Sequence, residues 1–270
     1  MSIERPITII KIGTNILNTE YEGVNLNRIR HLVIQMVKIH KSKTTSLILV
    51  TSGAIACGAQ AMGITPVTVD QKQAAAAVGQ IILMRDYAQF FNRRGVGIGQ
   101  LLLTKECITN PVQKRNVKNT LYNLLKNEII PIINENDSVA TDEIGEKFGD
   151  NDELSAHVAR LIKANRLIYL TDIDGLYTAN PKLDPNAQFI HRLDKIDTET
   201  LALVQDEKNG RSRGGMTSKL TYAKLASESG VEVVLANGTK VNIIKDVMAN
   251  KKIGTWVSAQ KKKGKANEQV

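Results

Sequence analysis

The sequence predicts an α/β protein built on a largely parallel sheet. Three observations carry this. Short β-branched apolar runs recur along the chain, stretches with helical spacing separate them, and the runs end in polar or glycine-rich turns. At 270 residues and 42% hydrophobic content the chain can also bury a sizeable core.

The first run is ITIIKI at 7–12, closed by Gly13 and expected as a buried strand. Leu26, Ile29, Leu32, Val33, Met36 and Val37 then fall at helical spacing. Residues 47–50 give a second strand, broken by Thr51, Ser52 and Gly53. Helical pattern returns from Gln71 to Arg94, and 96–103 reads as a third strand. Asn110 followed by Pro111 is an N-cap with proline at the first helical position, opening a helix to about Lys126. The fourth strand is 129–133, and Asp150 caps a helix ending near Ala164. The fifth strand, 167–170, ends in Thr171 and Asp172, and a polar region with Pro181 and Pro185 follows. Gly214 and Gly215 open a further helix ending near Gly230, with late strands at 231–235 and 254–257. We expect one compact unit over 1–258 and a basic, disordered tail over 259–270.

Composition narrows the function classes. Aromatics at 4% argue against a base-stacking binder of single strands. From Asn250 onward six lysines face Glu268 alone, so this end supplies about half of the net charge of +9. The mildly basic remainder suits anions such as nucleotides and does not indicate nucleic acid. No apolar run approaches the roughly 20 residues needed to cross a bilayer, and no signal-peptide layout opens the chain. Cys57 and Cys107 lack metal-ligand spacing, so a cytoplasmic location is expected.

Acidic residues and amides gather between 129 and 159, reading IIPIINENDSVATDEIGEKFGDNDELSAHVA in an otherwise basic chain. Such a stretch is either a solvated loop or a site for an ammonium group, a metal or a phosphate–magnesium complex. What else converges on it decides. In open α/β sheets ligands lie beyond the carboxyl ends of the strands. Lys11 and Gly13, Thr51 to Gly53, Asn134 to Asp137, and Thr171 with Asp172 would all share that edge. Lys11 either sits on an edge strand reaching solvent or pairs with an anion, because a buried unpaired ammonium is very costly. Lys219, in SRGGMTSK, lies one turn inside a helix whose glycines let backbone approach a ligand. The spacing is not a Walker A loop. Two lysines, a glycine-rich helix start and an acidic loop suggest phosphoryl transfer. A serine hydrolase fits poorly, since Ser52 lacks the nucleophile-elbow glycines and no histidine is placed to serve it.

KIGTNIL, TSGAIACG, AAAAVGQ, GQLLLT, NENDSVA, FGDNDELSA, LTDIDGLYTANP and GGMTSKL together resemble the glutamate 5-kinase branch of the amino-acid kinase family, over about 7–257. The resemblance implies an αβα sandwich and transfer of the ATP γ-phosphoryl group, with Mg2+, to the side-chain carboxylate of L-glutamate. The product would enter proline synthesis, with proline as feedback inhibitor and a homo-oligomer (dimer or tetramer) as the assembly. It further implies that Lys11 and Lys219 contact the transferring group and that Asp152 orients them. Ser52, Asn134, Asp137, Asp150 and Asn151 would hold glutamate. Gly13, Thr171, Asp172 and the loop of Arg213, Gly214, Gly215, Met216, Thr217, Ser218 and Lys219 would serve the nucleotide, together with Lys11. Ser212 and Arg213 depart from the Gly-Thr usual in this loop, and Ser218 from its threonine. Many relatives carry an additional C-terminal PUA domain, which is not expected here. Acetylglutamate kinase, uridylate kinase and a non-catalytic amino-acid sensor are the rival readings.

Overall fold

The computed structural model describes residues 3–17, 24–139, 151–179, 184–204 and 215–260. β1 (Ile7–Ile12) is buried at every position, as a central strand with both faces covered must be. A single turn, α1 (Thr14–Leu17), leads to α2 (Leu26–Lys41), whose N-cap Asn25 accepts from the Arg28 N–H. β2 (Ser46–Thr51) is likewise buried throughout. The hairpin of α3 (Ala54–Met62) and α4 (Val69–Asn92) follows; Thr68 and Gln71 form a reciprocal capping box at the start of α4. Sequence pattern alone does not signal a helix at 54–62, because ACGA carries little amphipathic contrast.

This hairpin depends on two glycines. A Cβ on Gly58 would lie 1.7 Å from the Ala75 carbonyl oxygen, and one on Gly79 1.8 Å from that of Ala54. The two helices therefore touch backbone to backbone, a contact no side chain can enter.

β3 (Ile98–Leu103), the short α5 (Lys105–Thr109) and α6 (Pro111–Lys126) come next, with Asn110 capping and Pro111 first in α6 as expected. β4 (Ile130–Glu135) runs two residues beyond its expected end, so Asn134 and Glu135 belong to the strand. α7 (Asn151–Ile162) and β5 (Arg166–Thr171) complete the central part. A two-stranded ribbon follows, of β6 (Leu176–Tyr177) and β7 (Phe189–Ile190), then β8 (Arg192–Leu193) and α8 (Thr198–Ala202); Pro181, between the two ribbon strands in sequence, lies outside the described residues. α9 (Met216–Glu228), β9 (Glu232–Asn237), α10 (Ile243–Met248) and β10 (Thr255–Val257) close the chain.

Among the described residues eight strands form one sheet in the order β3-β4-β2-β1-β5-β9-β10-β8. Every pairing is parallel except that of β9 with β10. β1 lies between β2 and β5, which removes the edge-strand alternative for Lys11. The sheet separates two cores. Ile9, Val50, Ile133 and Leu167 pack with Leu154, Val158, Leu220 and Ala223 on the face of α7 and α9. Ile10, Leu49, Ile132 and Ile168 pack with Leu32, Met36, Leu83 and Tyr87 on the face of α2 and α4. Strand alternation thus decides which face each functional side chain joins. Gln260 donates its backbone N–H to the Ser227 carbonyl at 2.9 Å, so packed chain reaches at least that residue.

Candidate active site

The carboxyl ends of β1, β2, β4 and β5 meet on one edge of the sheet, as parallel pairing requires. On β1, Ile7 and Ile9 belong to the α7 and α9 core, so alternation turns Lys11 to the same face. Its ammonium is 2.5 Å from Asp152 Oδ1. Lys219 Nζ is 3.2 Å from Asp152 Oδ2. Lys11 and Asp152 are both essentially inaccessible, whereas Lys219 keeps a small opening to solvent. One buried carboxylate thus carries two ammonium groups, each on its own oxygen. The three side chains together bear one formal positive charge.

Asp152 is held from behind. Its backbone carbonyl accepts from the Ser155 hydroxyl at 2.8 Å and from the Tyr169 hydroxyl at 3.0 Å. Glu153, beside it in the first turn of α7, accepts from the Tyr222 hydroxyl at 2.8 Å, which ties α9 to α7. Acidic residues in a first helical turn also complement the helix dipole. The register of Lys219 on α9 against Asp152 on α7 follows from this tie. A Cβ on Gly13 would come 3.4 Å from Lys11 Nζ, so glycine keeps the space beside the ammonium clear.

A second cluster consists of amides. The two N–H groups of Asn151 Nδ2 are shared among three acceptors, the Thr51 carbonyl at 2.8 Å, Ser52 Oγ at 2.8 Å and Asn134 Oδ1 at 2.9 Å. Asn134 Oδ1 also accepts from the Glu135 N–H at 2.9 Å, and Asn134 Nδ2 donates to Gln80 Oε1 at 2.8 Å. Thr51 Oγ1 meets the Tyr87 hydroxyl at 2.9 Å, and burial holds that phenol well above its usual pKa. Two polar atoms of this buried cluster, Asn151 Oδ1 and Gln80 Nε2, have no hydrogen-bond partner among the described residues. Buried polar atoms are nearly always satisfied. One acceptor and one donor of this network are thus available to a further polar group.

On the other side of β1, Thr171 Oγ1 donates to Asp172 Oδ1 at 3.1 Å, and Asn15 Nδ2 to Asp172 Oδ2 at 3.3 Å. Asp172 is exposed. Gly215, Met216, Thr217 and Ser218 open α9, with Thr217 Oγ1 bonded to the Val204 carbonyl at 3.2 Å. Asp137 lies in the turn after β4. Asp150, Arg213 and Gly214 lie outside the described residues.

The structure therefore brings together Lys11, Asp152 and Lys219 as one group, and Ser52, Asn134 and Asn151 as another. Sequence reasoning missed four contributors: Gln80, Tyr87, Tyr169 and Tyr222. Gln80 stood in view inside AAAAVGQ, but as a glutamine on a helix it carried no signal. The tyrosines read as core, since only the hydroxyl of each takes part and the ring packs as any aromatic would.

The sequence profile described as the amino acid kinase family matches residues 6–237. The glutamate 5-kinase of Clostridium tetani is 41% identical over 255 residues, covering 94% of this chain and 94% of that one. The glutamate 5-kinase of Proteus mirabilis is 43% identical over 92% of this chain and 67% of its own length. Among solved structures, a UMP kinase from Ureaplasma parvum superposes with a TM-score of 0.64 at 20% identity, covering 95% of this chain and 100% of that chain. An isopentenyl phosphate kinase from T. acidophilum gives 0.64 at 17% identity, covering 93% and 99%. These two establish the fold, a parallel sheet between two helical layers.

Proposed function

The chain belongs to the amino acid kinase family, and on that premise we propose that it phosphorylates the side-chain carboxylate of L-glutamate. The phosphoryl donor is ATP as its magnesium complex, and the product, γ-glutamyl phosphate, feeds proline synthesis. The observation that carries this reading is the Lys11–Asp152–Lys219 trio. Phosphoryl transfer needs in-line positioning and charge compensation more than covalent help. Two ammonium groups fixed on one carboxylate are preorganised donors that do not reorient when charge spreads over the transferring group.

The acceptor needs no general base. A glutamate side chain is ionised at neutral pH and attacks directly as carboxylate. Its γ-carboxylate oxygen forms the new P–O bond while the bond to the leaving ADP oxygen breaks, and no proton moves. The remaining site carboxylates are then available for binding. Asp137 and Asp150 offer charge to the substrate ammonium, and the open Oδ1 of Asn151 can accept from it. Ser52 and Asn134 fix the Asn151 amide that does so. Thr171, Asp172 and the start of α9 serve the nucleotide, whose phosphates approach the positive end of that helix. Magnesium neutralises and orients those phosphates.

An ATP-dependent hydroxamate assay tests the reading: hydroxylamine traps the acyl phosphate. Glutamate should give hydroxamate, and N-acetylglutamate and UMP should not be phosphorylated. Hydroxamate from N-acetylglutamate alone would sink the proposal. Proline sensitivity, a homo-oligomeric assembly and a cytoplasmic location belong to the same reading, and each has a direct check: proline titration, sedimentation and fractionation.

A further inference from the structure

Gln80 is the member of the amide cluster whose nitrogen has no acceptor among the described residues, and its orientation is not a matter of choice. The Glu135 backbone N–H can only donate, so the Asn134 atom that receives it is oxygen. The Thr51 backbone carbonyl can only accept, so the Asn151 atom that meets it is nitrogen. That nitrogen donates to the same Asn134 oxygen. The other terminal atom of Asn134 is therefore nitrogen, and it donates to the oxygen of Gln80. Two backbone groups thus fix three amides in series. The end of the series is Gln80 Nε2, in a side chain 8% exposed, with no acceptor among the described residues.

We infer that Gln80 donates from Nε2 to the carboxylate of glutamate that is not phosphorylated, and so helps to select an α-amino acid. This rests on the reading of the substrate given above. Its own support is topological. The lysines lie on the face of α7 and α9, where Lys11 continues the Ile7 and Ile9 row. Asn134 follows Ile133 of that face and so turns the opposite way, toward α4, which carries Gln80. The Asn134–Gln80 end of the cluster thus reaches the strand ends from the α4 side, and Asn151, at the start of α7, joins it from the lysine side. A neutral N–H suits a carboxylate whose charge stays constant through the reaction, whereas the lysines stand where charge changes. The backbone contact of α3 with α4 at Gly79 sets the position of Gln80, its neighbour in the chain.

The test pairs one substitution with one change of substrate. Gln80→Glu keeps the oxygen that accepts from Asn134 and replaces the open donor by an acceptor. The amino acid γ-aminobutyrate keeps the reacting carboxylate and the ammonium of glutamate but lacks the other carboxylate. With Gln80→Glu, the KM for glutamate should rise roughly 10- to 100-fold, as for a lost buried hydrogen bond to a charged group. The KM for ATP should hold. Turnover of γ-aminobutyrate, read as kcat/KM, should not fall in step; if that turnover is too slow, its inhibition constant against glutamate serves instead. Gln80→Leu, checked by thermal melting, should show the same selectivity and covers the case in which the glutamate variant does not fold. An equal loss on both substrates, a loss confined to kcat or ATP, or no loss would overturn this inference alone. Failure of the wild-type chain to act on glutamate would overturn the functional reading and this inference with it.

Discussion

Replacing Lys219 by alanine separates chemistry from architecture better than any other change at this site. Its ammonium lies 3.2 Å from Asp152 Oδ2, and Asp152 keeps Lys11 at 2.5 Å on its other oxygen. No buried carboxylate is stranded, so the folding cost should stay well below the roughly 3–5 kcal/mol of breaking a buried pair outright. The catalytic cost should be larger. Losing one preorganised charged donor raises the barrier by about 3–4 kcal/mol, or roughly 10²–10³ in turnover. In the hydroxamate assay at saturating glutamate and MgATP, kcat should fall by that factor while the KM for glutamate holds. Lys219→Arg should rescue poorly, since a planar fork does not replace a compact charge against one carboxylate oxygen. Lys195→Ala, an exposed lysine elsewhere, serves as the control. Near-wild-type kcat with a raised KM for ATP would make Lys219 a ground-state anchor and refute the reasoning.

Three further outcomes are expected. Gly79→Ala forces a Cβ against the Ala54 carbonyl, so it should destabilise by about 3 kcal/mol or more in urea unfolding and raise the KM for glutamate. Cys57 is buried, and burial together with the nearby Asp86 pushes its thiol up to about 11; iodoacetamide at neutral pH should leave it unmodified in the native protein and label it in urea, read by mass spectrometry. Burial, then Lys43, lowers the pKa of His40, and burial lowers that of His157. The unfolded chain therefore binds more protons below about 6.5, so stability present above that pH is lost as pH falls through it. Melting temperatures across that range should show the drop, and His40→Gln should flatten it.

Most of the sheet was legible because buried parallel strands read as unbroken apolar runs: ITIIKI and LILV need no context. Strand ends were harder. Asn134 and Thr171 are polar, so a reading by hydrophobicity stops before them, yet backbone pairing continues through both. The short α3 escaped because its identity lies in its contact with α4, and alanine and glycine announce no face. At the site, charged residues were visible since lysine inside an apolar strand is anomalous on its face. Gln80 was not, because its role comes from a chain of amides anchored on two backbone groups far apart in sequence. The ribbon of β6 and β7 was likewise invisible, its strands being two residues each.

The burial of Lys11 in the first strand bears on the order in which this molecule can be made. β1 leaves the ribosome before the other described strands, carrying an ammonium group whose partner carboxylate, Asp152, lies in the second half of the chain. Its sheet neighbour β5 is also synthesised well after the midpoint of the chain. A nascent β1–β2 pair has its Lys11 face open to water, and covering that face before Asp152 is made would bury an ammonium without its partner carboxylate, which is costly. The Lys11 face of β1 should therefore close only once α7 has been made, together with the active site. Truncated chains ending before Asn151 should give no cooperative melt and wide-open amide exchange in β1. A protected β1 in such a fragment would show that the strand forms without its counter-charge.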